Sequence, residues 1–403
     1  MSCKRTARAL QQMFTFMARA RNLARVALLA AVSCSACYKR HDAAPPGPSQ
    51  SQQPKAATDT GGQAPVMAEP PQAAPTARPS GPTPADAGPA PATPRPRIET
   101  APNLKIAFFG DQSMRPEARA VLSLVAREKA DAVIHLGDFA YDEAMPEQWE
   151  AQIDSALGKN FPYFAVVGNH DVANWAGPNG FAQRLNARLS HMADARCEGE
   201  YGVDSICNFR GLHFVLSGIG SYGTDHEPFL HLALSQSPAL HRLCIWHKNQ
   251  HDMQAGGKTD EVGWLAYRIC QQHGAPIITG HEHSYARTYS LRAVGAREQG
   301  HGAFGQADRL AIGPGRTFVV VSGLGGHSTR VRTPEHATDS WWASMYAADY
   351  QLVNGVVRGV SPDIEFGALF VTFNVDDDPT KASAYFKTVS GKIMDQFSWS
   401  VER

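Results

Sequence analysis

The 403-residue chain has no apolar run of about eighteen residues, so it is not built from membrane-spanning helices. It has no net charge, with 38 Lys+Arg against 38 Asp+Glu, which argues against a nucleic-acid binder. It has no Gly-x-x-x-x-Gly-Lys-Ser/Thr loop, which disfavours an NTPase. Residues 45–102 have no Phe, Trp or Tyr but hold 16 of the 27 prolines. Such a stretch cannot bury enough apolar surface to offset its ordering entropy, so it reads as a tether.

The neutral total averages unlike parts. Residues 1–102 carry 12 Lys+Arg against 5 Asp+Glu, and residues 103–403 carry 26 against 33. The acidic part also holds 15 of the 16 histidines, a balance that favours metal ions as ligands. A basic start (Lys4, Arg5, Arg8, Arg19, Arg21, Arg25) precedes an apolar stretch from Val26 to Ala36, with Met17 as an alternative start. This reads as an export signal over residues 1–37. Cys34 and Cys37, among small residues, resemble a lipoprotein cleavage site, although Ala31 stands where Leu is usual. The expected organisation is a signal at 1–37, a Pro/Ala-rich linker at 38–102 and one folded domain at 103–403. The expected location is the bacterial periplasm, the cell surface or the medium, with a membrane tether if a Cys is lipidated.

From Asn103 onward, short β-branched or aromatic runs end in ligand-type residues. Lys105–Phe109 leads to Asp111, Ala132–Leu136 to Asp138, and Tyr163–Val167 to Asn169, His170 and Asp171. Leu243–Trp246 leads to His247, Pro276–Thr279 to His281 and His283, and Thr317–Ser322 to His327. Runs this continuous suit strands buried on both faces. The stripe Ala118, Val121, Leu122, Val125 behind Pro116 predicts a helix over Pro116–Lys129, and a second is expected over Val262–Gln272. The pattern Ala368–Val375, Ala382–Val389, Lys392–Val401 predicts antiparallel strands. The fold class is therefore α/β, with ligands converging beyond the carboxyl ends of its strands. Each motif alone is a common turn; their joint occurrence is the signal. The four cysteines of the domain allow three pairings, of which Cys197–Cys207 and Cys244–Cys270 are favoured.

The set Gly110-Asp111, Gly137-Asp138-Phe139-Ala140-Tyr141, Gly168-Asn169-His170-Asp171, His247 and Gly280-His281-Glu282-His283 resembles the calcineurin-like metallophosphoesterases. That family has a two-sheet β sandwich flanked by helices and a dinuclear metal centre at the sheet edges. Ser113 stands where the broad superfamily has a ligand His, and Tyr141 stands three residues after Asp138. The pair resembles the purple acid phosphatase branch. The resemblance implies metal ligation by Asp111, Asp138, Tyr141, Asn169, His247, His281 and His283. Hard donors with one imidazole suit Fe(III), and a divalent Fe, Zn or Mn would take the second site, with Asp138 bridging. It implies attack of a metal-bound hydroxide on a phosphomonoester, with His170 serving the leaving oxygen and Asp171 orienting His170. Lys248 and His251 are candidate contacts to the small phosphorylated substrate. Trp341 and Trp342 are candidate pocket walls, and the loops Val172–Phe181 and Ser221–Phe229 are candidate specificity loops. A phosphodiesterase with the same metals, or a surface binding protein that has lost the chemistry, are the alternative readings.

Overall fold

In the computed structural model the described residues are 99–402, apart from 142–144, 337 and 360–363. The expected signal and all but the last residues of the expected linker lie outside them. Among the described residues no helix is long and apolar enough to cross a membrane.

The chain runs β1 (Leu104–Phe109), α1 (Pro116–Arg127), β2 (Ala132–His135), α2 (Pro146–Leu157), β3 (Tyr163–Ala165), α3 (Phe181–Leu189) and a meander of β4 (Ala195–Glu200), β5 (Asp204–Phe209) and β6 (Leu212–Ser217). Next come α4 (His226–Gln236), β7 (Arg242–Trp246), α5 (Leu265–Gln272), β8 (Ile277–Thr279), β9 (Tyr285–Thr288), β10 (Arg309–Ile312) and β11 (Val319–Ser322). The last strands are β12 (Trp342–Ala347), β13 (Tyr350–Val353), β14 (Val356–Gly359), β15 (Gly367–Val375), β16 (Asp378–Thr388) and β17 (Ile393–Val401).

These strands form two mixed sheets. The seven-stranded sheet has the order β10-β17-β16-β15-β1-β2-β3, and the ten-stranded sheet β14-β13-β12-β9-β11-β8-β7-β6-β5-β4. Strands β1, β2 and β3 are parallel neighbours, as are β7 and β8, and β8 and β11. Their carboxyl ends therefore gather at one edge of each sheet.

Alternation within β7 shows how the layers are held. Leu243 and Ile245 enter the large core between the sheets, with Phe108, Phe164, Phe214 and Phe370. Cys244 and Trp246 enter a second core, with Leu234 of α4 and Cys270 of α5. Successive side chains point to opposite faces, so a strand covered on both sides reads as an unbroken apolar run. Trp341 and Trp342 belong to this second core, and the Trp341 indole N–H donates to the Asp252 carbonyl at 3.1 Å. They do not wall the site.

Helix α1 buries Ala118, Val121, Leu122 and Val125, with proline in its first turn and Arg127 in its last. Helix α5 begins three residues later than the apolar pattern suggests. Gly263 is left-handed (φ 72°), and the Asp260 carboxylate accepts the Val262 and Gly263 N–H groups at 3.0 and 2.8 Å. Both favoured disulfides are present: Cys197–Cys207 joins opposed residues of β4 and β5, and Cys244–Cys270 ties β7 to α5.

Candidate metal centre

The strand-end residues meet in two groups. In the first, Asp111 Oδ1 lies 3.2 Å from the Tyr141 hydroxyl and 3.1 Å from His283 Nε2, and the hydroxyl is 3.1 Å from the same nitrogen. In the second, Asp138 Oδ2 lies 3.2 Å from His247 Nε2, which is 3.2 Å from His281 Nδ1. Ligand atoms of Asp138, His247 and His281 all fall within 4.8 Å of one another. The two groups touch where the His281 backbone N–H donates to Asp111 Oδ2 at 2.9 Å.

The backbone at these positions is unusual. Asp111, Asp138, Tyr141 and His281 have φ of 61°, 59°, 52° and 68°. Left-handed conformations cost an ordinary side chain about 1 kcal/mol or more, and they cluster where a site dictates geometry. Two glycines permit the convergence. A Cβ at Gly168 would sit 2.2 Å from Asp138 Oδ1, and one at Gly137 would sit 2.7 Å from His247 Nδ1.

Each histidine is oriented by an outer partner. His247 Nδ1 donates to the Leu136 carbonyl at 2.7 Å, so Nε2 is its inward atom. His281 Nε2 donates to Glu261 at 2.9 Å, which turns Nδ1 inward. His283 Nδ1 is 2.5 Å from the Ser328 hydroxyl, which turns Nε2 inward. Such partners fix the tautomer and orientation of a metal-binding imidazole.

Two inward imidazole lone pairs and a carboxylate thus share one small space, and they need a cation between them. A proton supplies it in part: burial works against charging His247, but Asp138 outweighs it and lifts the imidazole to about 9. His281 moves the other way, because burial and the His247 charge hold it below its usual range. Burial, Asp111 and Asp138 push the Tyr141 hydroxyl far above the usual phenol value, so a multivalent cation is needed to make it a phenolate. The Asn169 side-chain amide oxygen is buried with no hydrogen-bond partner. A buried acceptor left unpaired costs about 1–3 kcal/mol, which a metal ion would recover. The donors present therefore fit a pair of metal ions.

A cleft of about 310 Å³ opens over the two groups, lined by Asp138, Tyr141, His170, Lys258, His281, His283, His327, Ser328 and Arg330. His170 is exposed on its wall, and its backbone N–H donates to Asp138 Oδ1 at 3.0 Å.

Four expectations need correction. Asp171 does not orient His170. Its carboxylate accepts the backbone N–H groups of Asp138 (2.8 Å), Phe139 (2.8 Å) and Gly168 (2.7 Å), so it ties the β2 loop to the β3 loop. Burial and the Asp138 charge push Asp171 up to about 8, against the pull of those N–H groups. Lys248 is not in the cleft wall; its ammonium pairs with Glu261, the carboxylate that holds His281. His251 is also outside it, with one ring nitrogen 2.7 Å from the Lys258 carbonyl and the other 3.2 Å from Glu335. The loops Val172–Phe181 and Ser221–Phe229 contribute no lining residue.

The cations that do line the cleft, Lys258 and Arg330, carried no motif in the sequence. The Lys258 ammonium donates to the His281 carbonyl, and the Arg330 backbone N–H donates to the His283 carbonyl at 2.9 Å. Both act on Glu282, a buried carboxylate whose pKa burial raises.

Comparison with known proteins agrees with this geometry. A family model described as calcineurin-like phosphoesterase matches residues 104–285. A protein of Arabidopsis thaliana named as a probable inactive purple acid phosphatase is 23% identical over 184 residues, 40% of this chain and 30% of that protein. The purple acid phosphatase PPD1 from yellow lupin (Lupinus luteus) seeds has a TM-score of 0.57 at 17% identity, covering 77% of this chain and 56% of that one. The chain thus spans less than a third of the curated relative and just over half of the lupin protein. At that identity the lupin likeness is one of fold. The fold, the strand-end ligand pattern and the matched segment agree: residues 104–285 match the calcineurin-like phosphoesterase family, and the chain is similar to the purple acid phosphatases.

Proposed function

We propose that this chain hydrolyses phosphomonoesters at a dinuclear metal centre, as an exported enzyme of acid-phosphatase type. The observation that carries the reading is the convergence of His247 Nε2, His281 Nδ1 and Asp138, an arrangement that calls for a cation. Asp111, Tyr141 and His283 would hold Fe(III); Asn169, His247 and His281 would hold a divalent Fe, Zn or Mn ion, with Asp138 between the two. When bound, such a pair activates water and draws charge from the equatorial phosphoryl oxygens.

The chain's own groups do the rest. Lys258 and Arg330 place positive charge on the cleft wall, which suits the dianion of a monoester better than the single charge of a diester. His170, exposed beside the Tyr141 ring at 4.6 Å between centroids, would give a proton to the leaving oxygen. Asp171 keeps the loops carrying Asp138 and Asn169 in register through its three backbone contacts. Two disulfides support export to an oxidising compartment: the periplasm, the cell surface or the medium. A lipid on Cys34 or Cys37 would then tether the domain, and the mass of the mature N-terminal peptide would reveal it.

The test is metal analysis and a visible spectrum on the purified protein, beside assays with p-nitrophenyl phosphate and its bis ester. Two metals including iron, a broad visible band lost in Tyr141→Phe, and faster monoester turnover are expected. Faster turnover of the bis ester would turn the reading to a phosphodiesterase. Two metals without turnover of either would leave a binding protein on this fold.

A further inference from the structure

The loop after β11, from Gly323 to Arg330, lies against the Tyr141 and His283 side of the centre. His327 is laid flat on Tyr141, with ring centroids 3.6 Å apart and planes within 16°. Both of its backbone polar groups are engaged. The N–H donates to the Asp111 carbonyl at 3.0 Å, and the carbonyl accepts from Arg115 Nη1 at 2.8 Å. Ser113, at the position where a ligand histidine is absent, has its hydroxyl 3.4 Å from the Gly326 carbonyl. Next along the loop, the Ser328 hydroxyl is 2.5 Å from His283 Nδ1 and 3.2 Å from His327 Nδ1.

We propose that His327 and Ser328 are positioning residues for the Tyr141–His283 half of the metal centre, acting through those two side chains and not on the substrate. The inference rests on the reading of Tyr141 as a metal ligand. A phenol can rotate about its Cα–Cβ bond and swing its oxygen by several ångströms. A ring stacked on one face stops that swing and keeps water off the face. An imidazole can turn over and offer either nitrogen. The Ser328 hydroxyl engages Nδ1 and so leaves Nε2 towards Asp111 and Tyr141. The loop thereby supplies order to a site whose first strand-end motif contributes only one carboxylate, Asp111.

The experiment uses the full chain loaded with iron and reads two quantities: the tyrosinate-to-iron band and iron retention against a chelator. His327→Ala is expected to move the band to shorter wavelength, because water reaches the phenolate, and to weaken iron retention about 10–100-fold. His327→Phe restores the flat ring and is expected to recover both readouts. Ser328→Ala is expected to weaken iron retention by a similar factor while leaving the band in place, with Ser328→Thr recovering it. A parent protein with the band and a His327→Ala variant with unchanged band and retention overturn the proposal alone. A parent with no band overturns the ligand reading of Tyr141 and takes this proposal with it. Should His327→Ala not fold, His327→Phe and Ser328→Ala still decide: loss of the band in the first, or full iron retention in the second, overturns the assignment.

Discussion

Among the described residues, two buried charged clusters are built on opposite principles. One joins the two sheets. Asp395 of β17 accepts from Arg287 Nε at 2.6 Å, from Arg287 Nη2 at 2.9 Å, from the Tyr285 hydroxyl at 2.6 Å and from the Ser344 hydroxyl at 2.8 Å. The Arg287 guanidinium also lies over the Phe397 ring at 4.1 Å. One negative charge meets one positive charge, and the carboxylate is surrounded by donors. The other cluster is the strand-end site, where His247 lies between Asp138 and the inward nitrogen of His281, and the buried Asn169 side-chain oxygen beside them has no hydrogen-bond partner. The first cluster is complete as the chain folds; the second is complete only with a guest. A buried ionic group therefore says little about function until its partners are counted, and a surplus of acceptors is what marks a site.

That contrast can be broken by experiment. The largest effect is expected for Asp138→Asn, which should lower p-nitrophenyl phosphate turnover about 10³-fold or more, ~4 kcal/mol of transition-state stabilisation. Urea unfolding of the metal-free variant at pH 7 should show a smaller loss than Asp395→Ala, because His247, charged beside Asp138, can shed its proton once that carboxylate is gone, whereas Arg287 cannot. Asp395→Ala should do the reverse: about 3–5 kcal/mol of stability lost, with kcat per folded molecule unchanged. Equal losses of stability in the two variants would erase the distinction between the clusters. His170→Ala should come next, with turnover down about 10²-fold and both metals retained by elemental analysis. Loss of metal together with turnover would move His170 into the ligand group.

A smaller effect separates acid sensitivity from both clusters. Burial holds His213 and His241 down to about 4 in the folded chain, against 6.5 in the unfolded one. Between those values the unfolded state binds protons that the folded state refuses, so stability should fall as pH drops through that window. Each histidine would steepen the slope of unfolding free energy by up to ~1.4 kcal/mol per pH unit. Urea midpoints between pH 7 and pH 4 check this, and His241→Phe, which packs against Phe373 and Trp399, should flatten the slope. Last, Arg330→Ala should cost about tenfold in kcat/KM for the monoester and less for the bis ester.

The strands that carry ligands were legible because burial on both faces writes itself into a continuous apolar run, and each run ended at a glycine or a polar turn. Asp111, Asp138, His247, His281 and His283 could be read from that alone, and the structure brings them together. What escaped reading depends on distance along the chain. Glu261 touches His281 from twenty residues away, and Arg287 meets Asp395 across 108 positions. Neither has a local pattern to announce it. Lys258 sits in a polar loop without periodicity, so nothing distinguished it from Lys248, which stands beside a ligand but is held by Glu261. Asp171 was misassigned because adjacency to His170 suggested a side-chain partner, whereas three backbone N–H groups claimed it. Neighbours in sequence set where a group can be, and backbone direction sets what it faces.

The left-handed backbone at Asp111, Asp138, Tyr141 and His281 bears on how this protein could change over generations. Glycine would relieve roughly 1 kcal/mol at such a position, so each of these side chains is held against a standing pull towards replacement. A lineage that stopped using metal would find its easiest stabilising substitutions there. Asp171 and the Arg287–Asp395 pair would resist the same drift, because they hold the scaffold whether or not any chemistry remains. Erosion of catalysis in this fold would thus leave a sheet interface intact around a softened edge.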